Sequence, residues 1–207
     1  MFWQIIPALL LLACVIGLYW WLLQQSSVRI YRQYQSIAKQ FELELTAPDA
    51  ALAGFVRPEP FVHGHYQGRE ISISAPGKGL QNTRQTETVL KIAVADTGLR
   101  MQIAKSGLVG RLGQRDRGEK KRWLSGDVEF DRALDVRSND GVRLAMLLSL
   151  EMQQKMRALL ESSGATLYLG GSVLALARPG LLGDEAGSKF FKEAVDVLCH
   201  LADLLDA

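Results

Sequence analysis

The sequence contains only two cysteines and three histidines among 207 residues, and its net charge is only +2. Cys14 and Cys199 are far apart, and the spacing indicates neither a disulfide framework nor a zinc site. A nearly balanced charge does not favour nucleic acid as a partner. No serine lies in a Gly-x-Ser-x-Gly motif, and the glycines around Lys78 lack the phosphate-binding spacing. We therefore nominate no catalytic residue and expect no cofactor.

Charge is also missing from the start of the chain. No side chain from Phe2 to Leu23 is charged, and a helix of about 22 residues is about 33 Å long, which is enough to cross a bilayer. Aromatic residues lie at both ends of the run, as is typical of membrane interfaces. They are Trp3, Tyr19, Trp20 and Trp21. Residues 1–25 are therefore predicted to form a transmembrane anchor.

Two other interpretations of this run remain open. Leu-Leu-Ala-Cys, ending at Cys14, is close to a lipoprotein signal, and an ordinary leader would be cleaved. Such leaders normally begin with basic residues and have a shorter apolar core, and neither holds here. A retained anchor is the favoured interpretation. Within it, Ala13 and Gly17 are four residues apart and would allow a second helix to approach, although small residues are common in membrane helices.

The charges that follow the run predict its orientation. Arg29, Arg32 and Lys39 lie after it, and no lysine or arginine lies before it. Positive residues flank membrane helices on the cytoplasmic side. We expect a single-pass protein of a bacterial inner membrane, with its N-terminus outside, its C-terminal domain in the cytoplasm, and lipid as one partner.

Residues 26–47 are predicted to form an amphipathic helix that ends before Pro48. Its apolar residues recur at helical spacing, and basic and amide side chains occupy the other faces. The apolar set is Ile30, Tyr34, Ile37, Ala38, Phe41 and Leu45. This stripe could rest on lipid or on the domain that follows, and docking on the domain is the favoured use.

Residues 48–207 are predicted to form a cytoplasmic α+β domain, in which strand patterns follow a loop that carries three prolines. The segment 61–74 predicts two strands that turn near Gln67-Gly68, and the segment 87–106 predicts a hairpin that turns at Asp96–Gly98. The segment 126–136 predicts a further strand with Phe130 on its apolar face. Its carboxylates (Asp127, Glu129, Asp131 and Asp135) would then share the outward face.

The remainder of the chain adds helices and one more hairpin. A long helix is predicted after a cap at residues 138–140, with its buried stripe running from Ala145 to Leu159. A hairpin turns at Gly170-Gly171, and an amphipathic helix follows Pro179-Gly180. The expected fold is α+β: an N-terminal transmembrane helix, then an antiparallel sheet with two long C-terminal helices packed on one face.

One stretch resembles a group of bacterial membrane-anchored proteins of unknown function. Their pattern is Phe-Asp-x-x-Phe-x-Val, an acidic helix start, then Ala-x-x-Leu-Leu. The matching residues are Phe130, Asp131, Val136, Asp140, Ala145, Leu147 and Leu148, with Leu134 in place of the second Phe. The resemblance covers about a quarter of the chain and implies a similar anchored layout without a known catalytic residue.

His63 and His65 form a candidate metal site. On a strand both side chains would point to the same face and could share a metal ion. A site needs a third ligand, and only Glu70 and His200 can be nominated, without support from their spacing. The alternative, which we favour, is a pair of exposed polar residues, and no metal is expected.

The most basic stretch covers residues 110–122, and its glycines predict a long hairpin tip. Its cations are Arg111, Arg115, Arg117, Lys120, Lys121 and Arg122. They could contact anionic lipid heads or an acidic protein patch, or simply keep a sheet edge soluble. No aromatic ladder accompanies them, so nucleic acid is not expected.

Together these features favour a non-catalytic accessory or assembly subunit of a larger membrane protein complex. A membrane-tethered hydrolase or metal-dependent enzyme built around His63 and His65 is the alternative from another class. A lipid-surface module that uses the basic segment 111–122 is a further alternative.

Overall fold

The computed structural model describes residues 2–49, 58–76, 86–107 and 120–206. Five helices and nine strands lie in these ranges. The helices are α1 (Phe2–Phe41), α2 (Val128–Ala133), α3 (Gly141–Leu147), α4 (Leu150–Leu160) and α5 (Glu185–Asp206). The strands are β1 (Glu44–Thr46), β2 (Phe61–Tyr66), β3 (Arg69–Ser74), β4 (Glu87–Ala93), β5 (Met101–Lys105), β6 (Lys121–Trp123), β7 (Leu134–Ser138), β8 (Thr166–Gly170) and β9 (Val173–Pro179).

The strands form one sheet in the order β1-β2-β3-β4-β9-β8-β5-β7-β6, and every neighbouring pair is antiparallel. The predicted hairpins β2–β3 and β8–β9 are confirmed, with positive φ at Gly68 and Gly171 in their turns. Both edge strands are only three residues long, which limits pairing with other chains.

The predicted hairpin over residues 87–106 is wrong. β4 pairs with β3 and β9, whereas β5 pairs with β8 and β7. The C-terminal hairpin β8–β9 is inserted between β4 and β5. Each strand alternates as expected, but alternation carries no information about which strand becomes its neighbour.

One face of the sheet and all five helices share a single apolar core. The helices contribute Tyr34, Phe130, Leu144, Met152 and Phe191, among others. We call the opposite side of the sheet the second face. A small cluster of Val89, Ala175 and Ala177 lies there with Tyr168 packed against it, and none of the described helices contributes to it. The α+β class with an antiparallel sheet and C-terminal helices is confirmed.

The predicted apolar stripe after the anchor is buried in this core, from Ile30 through Tyr34 and Ile37 to Phe41. The helix is continuous with the anchor and ends at Phe41, not at residue 47. Glu42 takes a positive φ of 54°, and the amide of Leu43 donates to the carbonyl of Ala38 at 2.9 Å. The chain then enters β1, so that Leu45 belongs to a strand opposite Val62.

The predicted strand over residues 126–136 is half helix. Asp127 caps α2 by accepting hydrogen bonds from the amides of Glu129 and Phe130, and the strand begins only at Leu134. Phe130 is buried in the helix, as it was predicted to be in a strand, whereas Val128 is exposed. The predicted row of outward carboxylates is therefore absent.

The first of the two predicted long C-terminal helices is divided into α3 and α4. Ser149 accepts a hydrogen bond from the amide of Met152 and caps the start of α4. Asp140 caps α3, as the sequence predicted. Leu144 and Leu147 are the buried residues of α3, and Ala145 is exposed instead of buried. Only α5 is a long C-terminal helix, and its predicted apolar stripe is buried.

Candidate functional site

The N-terminal half of α1 is an apolar surface without a covering. In the described part of the chain, α1 is the one helix long and apolar enough to cross a membrane. Its large apolar side chains are exposed on all sides, including Leu10, Leu11, Leu12, Val15, Ile16, Leu18, Tyr19, Trp20, Trp21 and Leu22. Ala13 is exposed, and no atom lies within 4 Å of a Cβ built on Gly17. The side chain of Trp3 lies outside the described residues.

The C-terminal part of α1 is held firmly by the domain. Ile30 approaches Gly183 just before α5 begins, and Lys192 on α5 donates to the hydroxyl of Ser36 at 2.8 Å. Phe41 then packs edge-on against Tyr66, with 4.9 Å between ring centroids. α1 and α5 therefore run in the same direction, and the exposed apolar half of α1 and the domain share one helix about 60 Å long.

Tyr34 is the largest side chain that α1 buries completely. Burial, with a smaller effect from the charge of Glu59, raises its pKa to about 12. The phenol therefore stays neutral near pH 7 and acts as part of the core.

Ion pairs secure the other end of α5. Arg69 at the start of β3 donates to Asp203 at 3.0 and 3.2 Å and also contacts Asp206. Asp206 accepts a further hydrogen bond from the amide of Ala95 at 3.0 Å. Burial alone would raise the pKa of Asp206, but the hydrogen bonds from Arg69 and Ala95 lower it overall. These contacts mark the end of the domain that lies away from the anchor.

A second set of exposed apolar residues lies on α3 and at the first residue of α4, and we call it the α3 stripe. It comprises Val142, Ala145, Met146 and Leu150. Val142 is 75% exposed, Met146 is 74% exposed and Leu150 is 61% exposed. Val142 and Met146 are four residues apart and share one side of α3, Leu150 begins α4, and Leu144 and Leu147 point into the core. Large exposed apolar patches on soluble domains commonly mark interaction sites.

The α3 stripe begins at the end of the domain opposite the anchor. Arg143 on α3 donates to the carbonyl of Thr97 at 2.7 Å, and Ala95 in the same connection is bonded to Asp206 at the end of α5. Because α5 has 22 residues, about 33 Å separates its two ends. The α3 stripe and the exposed half of α1 therefore lie at opposite ends of the domain.

The α3 stripe was not predicted, because the sequence pattern placed Ala145 on the buried side of the helix. A signal was present: apolar residues at 142, 145, 146 and 150 repeat at helical spacing. Leu144, Leu147 and Leu148 also repeat at helical spacing, so both sets of apolar residues fit the buried side of a helix. In the structure the set with Leu144 faces the core.

The strands on either side of the basic segment do not form a hairpin with each other. β5 and β6 are separated by β7 and are not paired with each other. Arg111, Arg115 and Arg117 lie outside the described residues. Lys120 precedes β6, Lys121 lies opposite Ser138, and Arg122 lies opposite Arg137.

Arg122 is close to a buried carboxylate. Its Nε lies 3.6 Å from Asp135, which also pairs with Arg137 at 3.2 Å. β6 is at the opposite edge of the sheet from β1, and β2, against which α1 packs, is about 34 Å away.

The two predicted metal ligands share the second face. His63 lies opposite Ser72 and His65 opposite Glu70, and Nε2 of His63 is 3.5 Å from a carboxylate oxygen of Glu44. His200 lies on α5, on the other side of the sheet. No group of three histidine, cysteine, aspartate or glutamate residues within the described ranges is arranged to hold a metal ion.

The two cysteines differ in environment. Cys199 is buried, and burial is the main cause that raises its pKa to about 11, so its thiol is not a nucleophile near neutral pH. Cys14 is exposed on the anchor half of α1.

No family model matches the sequence, and no curated protein matches it. A structural comparison finds the crystal structure of the mycobacterial trehalose monomycolate transport factor A, TtfA, with a TM-score of 0.57 and 13% sequence identity. The match covers 85% of this chain and 94% of that chain. At this identity the likeness shows a shared fold.

Proposed function

We propose that this chain is a single-pass, membrane-anchored accessory or assembly subunit. In this role α1 holds a non-catalytic α+β domain beside a larger membrane protein complex, with the domain on the cytoplasmic side of a bacterial inner membrane. A transport factor shares the fold, and an accessory role agrees with that likeness. The observation that carries the proposal is the pair of exposed apolar surfaces at opposite ends of a domain whose core includes the second half of α1.

The first surface supports membrane attachment. The exposed half of α1 carries large apolar residues on every side, and at about 25 cal/mol per Å2 their exposure to water would be very unfavourable. Lipid is the environment that satisfies such a helix. Arg29, Arg32 and Lys39 follow it, which favours a cytoplasmic domain.

The second surface supports a protein partner. The α3 stripe is apolar and lies away from the anchor, so lipid does not compete for it. The domain is fixed to the anchor through buried side chains such as Tyr34 and Ile37, and this fixed geometry would present the stripe at a constant height above the bilayer. A subunit that positions another protein needs both properties.

The test uses a photo-crosslinking amino acid introduced at Met146 in the full chain, in intact membranes. Glu193 is the matched control, because it is exposed on α5 but lies outside the stripe. We expect a discrete protein adduct from position 146 and none from position 193. A second variant, Val142→Asp with Met146→Asp, should abolish co-purification of that same protein in mild detergent.

Two outcomes would contradict the proposal. The first is the absence of any protein adduct at position 146, together with a protein that runs alone after mild extraction. The second is an adduct that forms equally at both positions. Since Val142 and Met146 are exposed, the aspartate variants should keep a folded domain, which protection of Cys199 from thiol reagents would verify.

A further inference from the structure

A cavity of about 350 Å3 lies on the second face of the sheet. Its floor is the β8–β9 hairpin, where Tyr168 lies opposite Ala175 and Gly170 lies opposite Val173. Arg100 and Met101 at the start of β5 and Lys120 before β6 also line it. The volume falls within the range of small-molecule sites, which are mostly apolar with a few polar groups.

Small side chains create the space. Gly170 has no side chain, and a Cβ built on it would meet only the Cδ of Arg100, at 3.6 Å. Ala175 contributes a single methyl group, and it is buried at the base. The cavity wall is therefore apolar on the strand side, with an aromatic ring from Tyr168 at one side.

The charges around the cavity are unequal. Arg100 and Lys120 are both cations, and no acidic residue lines the cavity among the described residues. Asp96 pairs with Arg100 at 3.1 Å and neutralises one of the two charges. Among the described lining residues one positive charge remains without a paired carboxylate, and it would attract a monoanion.

The side-chain nitrogen of Gln102, a buried residue next to the cavity, lacks a hydrogen-bond partner. Gln102 lies opposite Tyr168 and is 8% exposed, and its Nε2 makes no hydrogen bond. An unsatisfied buried donor is unfavourable. A ligand oxygen that reached beneath the Tyr168 ring would satisfy it.

From these observations we infer that the cavity binds a carboxylate with an apolar body, such as an aromatic or medium-chain acid. The apolar part lies over Gly170 and Ala175, and the carboxylate lies between Lys120 and Arg100. This site is independent of the accessory role proposed above, because it uses neither the anchor nor the α3 stripe.

The probe is 4-benzoylbenzoate, a photoreactive aromatic carboxylate, added to the full chain in lipid nanodiscs. Its neutral amide is the control for apolar binding without charge. Labelled peptides are identified by mass spectrometry, which separates labelling of the hairpin 166–178 from labelling of α1 in lipid. We expect the acid to label the hairpin, the amide to label it several-fold less, and excess decanoate to compete.

Two variants test the residues. Gly170→Val should fill the cavity without backbone strain, because Gly170 has no positive φ. Lys120→Gln should lower hairpin labelling by about fivefold, as expected for a partly exposed charge pair. Lys121→Gln, one residue further on, is the matched control and should leave labelling unchanged.

Equal hairpin labelling by the acid and the amide would overturn the inference, as would labelling confined to α1. Unchanged labelling in both Gly170→Val and Lys120→Gln would also overturn it. If Gly170→Val loses the native protection of Cys199, the Lys120→Gln and Lys121→Gln pair decides the question.

Discussion

Replacing Ile37 by alanine should destabilise the whole C-terminal domain, because the second half of the anchor helix is part of its core. Ile37 is fully buried. Removing a buried isoleucine side chain down to its Cβ costs about 2 to 5 kcal/mol of unfolding free energy. With a urea dependence of about 2 kcal/mol per molar, the unfolding midpoint should fall by about 1 to 2.5 M.

The assay follows Cys199 in a Cys14→Ser background, with the full chain in nanodiscs. Cys199 is buried, and its raised pKa keeps it unreactive until the domain unfolds. The extent of thiol labelling against urea concentration therefore reports unfolding of the domain alone, without a signal from the tryptophans of the anchor.

Two controls lie on the same helix. Gln35→Ala changes an exposed side chain beside the buried stripe, and Ile16→Ala changes an exposed residue of the anchor half. Surface changes of this kind shift stability by about 0.5 kcal/mol or less. If Ile37→Ala moves the midpoint no further than these controls, α1 is not a core helix and the proposed coupling of anchor and domain is wrong.

Three further predictions concern Asp206, the contribution of α1 to folding, and the two candidate metal ligands. The folded-state pKa of Asp206 lies below its ordinary value, so its stabilisation is fully present above that ordinary value and is lost as pH falls through the folded pKa. The urea midpoint should drop on acidification below about pH 4, and Asp206→Asn should remove part of that drop. A fragment of residues 27–207 should unfold cooperatively with Cys199 protected, whereas a fragment of residues 48–207 should aggregate because it lacks the buried stripe of α1. Replacing His63 and His65 together by alanine should leave the metal content of the purified chain unchanged by elemental analysis, and loss of a stoichiometric metal would support the metal-enzyme alternative.

Local patterns predicted the elements whose burial is decided within one segment. The stripe from Ile30 to Phe41 and the stripe of α5 repeat at helical spacing and face one core. The turns at Gly68 and Gly171 join strands that are neighbours in sequence and in space. In these cases hydrophobic spacing and turn residues point to the same structure.

The sequence predictions are wrong where one hydrophobic pattern fits two different local structures. Residues 128–136 alternate like a strand, yet Asp127 caps a helix that still buries Phe130. Pairing of β4 with β9 depends on a hairpin more than 70 residues later in the chain, which no short window contains. Residues 141–150 carry two apolar sets at helical spacing, and the structure buries Leu144 and Leu147 while it exposes Val142 and Met146.

The central claim is that one continuous helix holds the domain on the cytoplasmic side of a membrane. The most direct measurement places a cysteine at exposed Ser162 by Ser162→Cys in a Cys14→Ser background, and compares labelling by a membrane-impermeant maleimide in inverted and right-side-out vesicles. The account predicts labelling in inverted vesicles only, on a chain that stays in the membrane after alkaline carbonate extraction. Labelling in right-side-out vesicles, or release of the chain by carbonate, would contradict it.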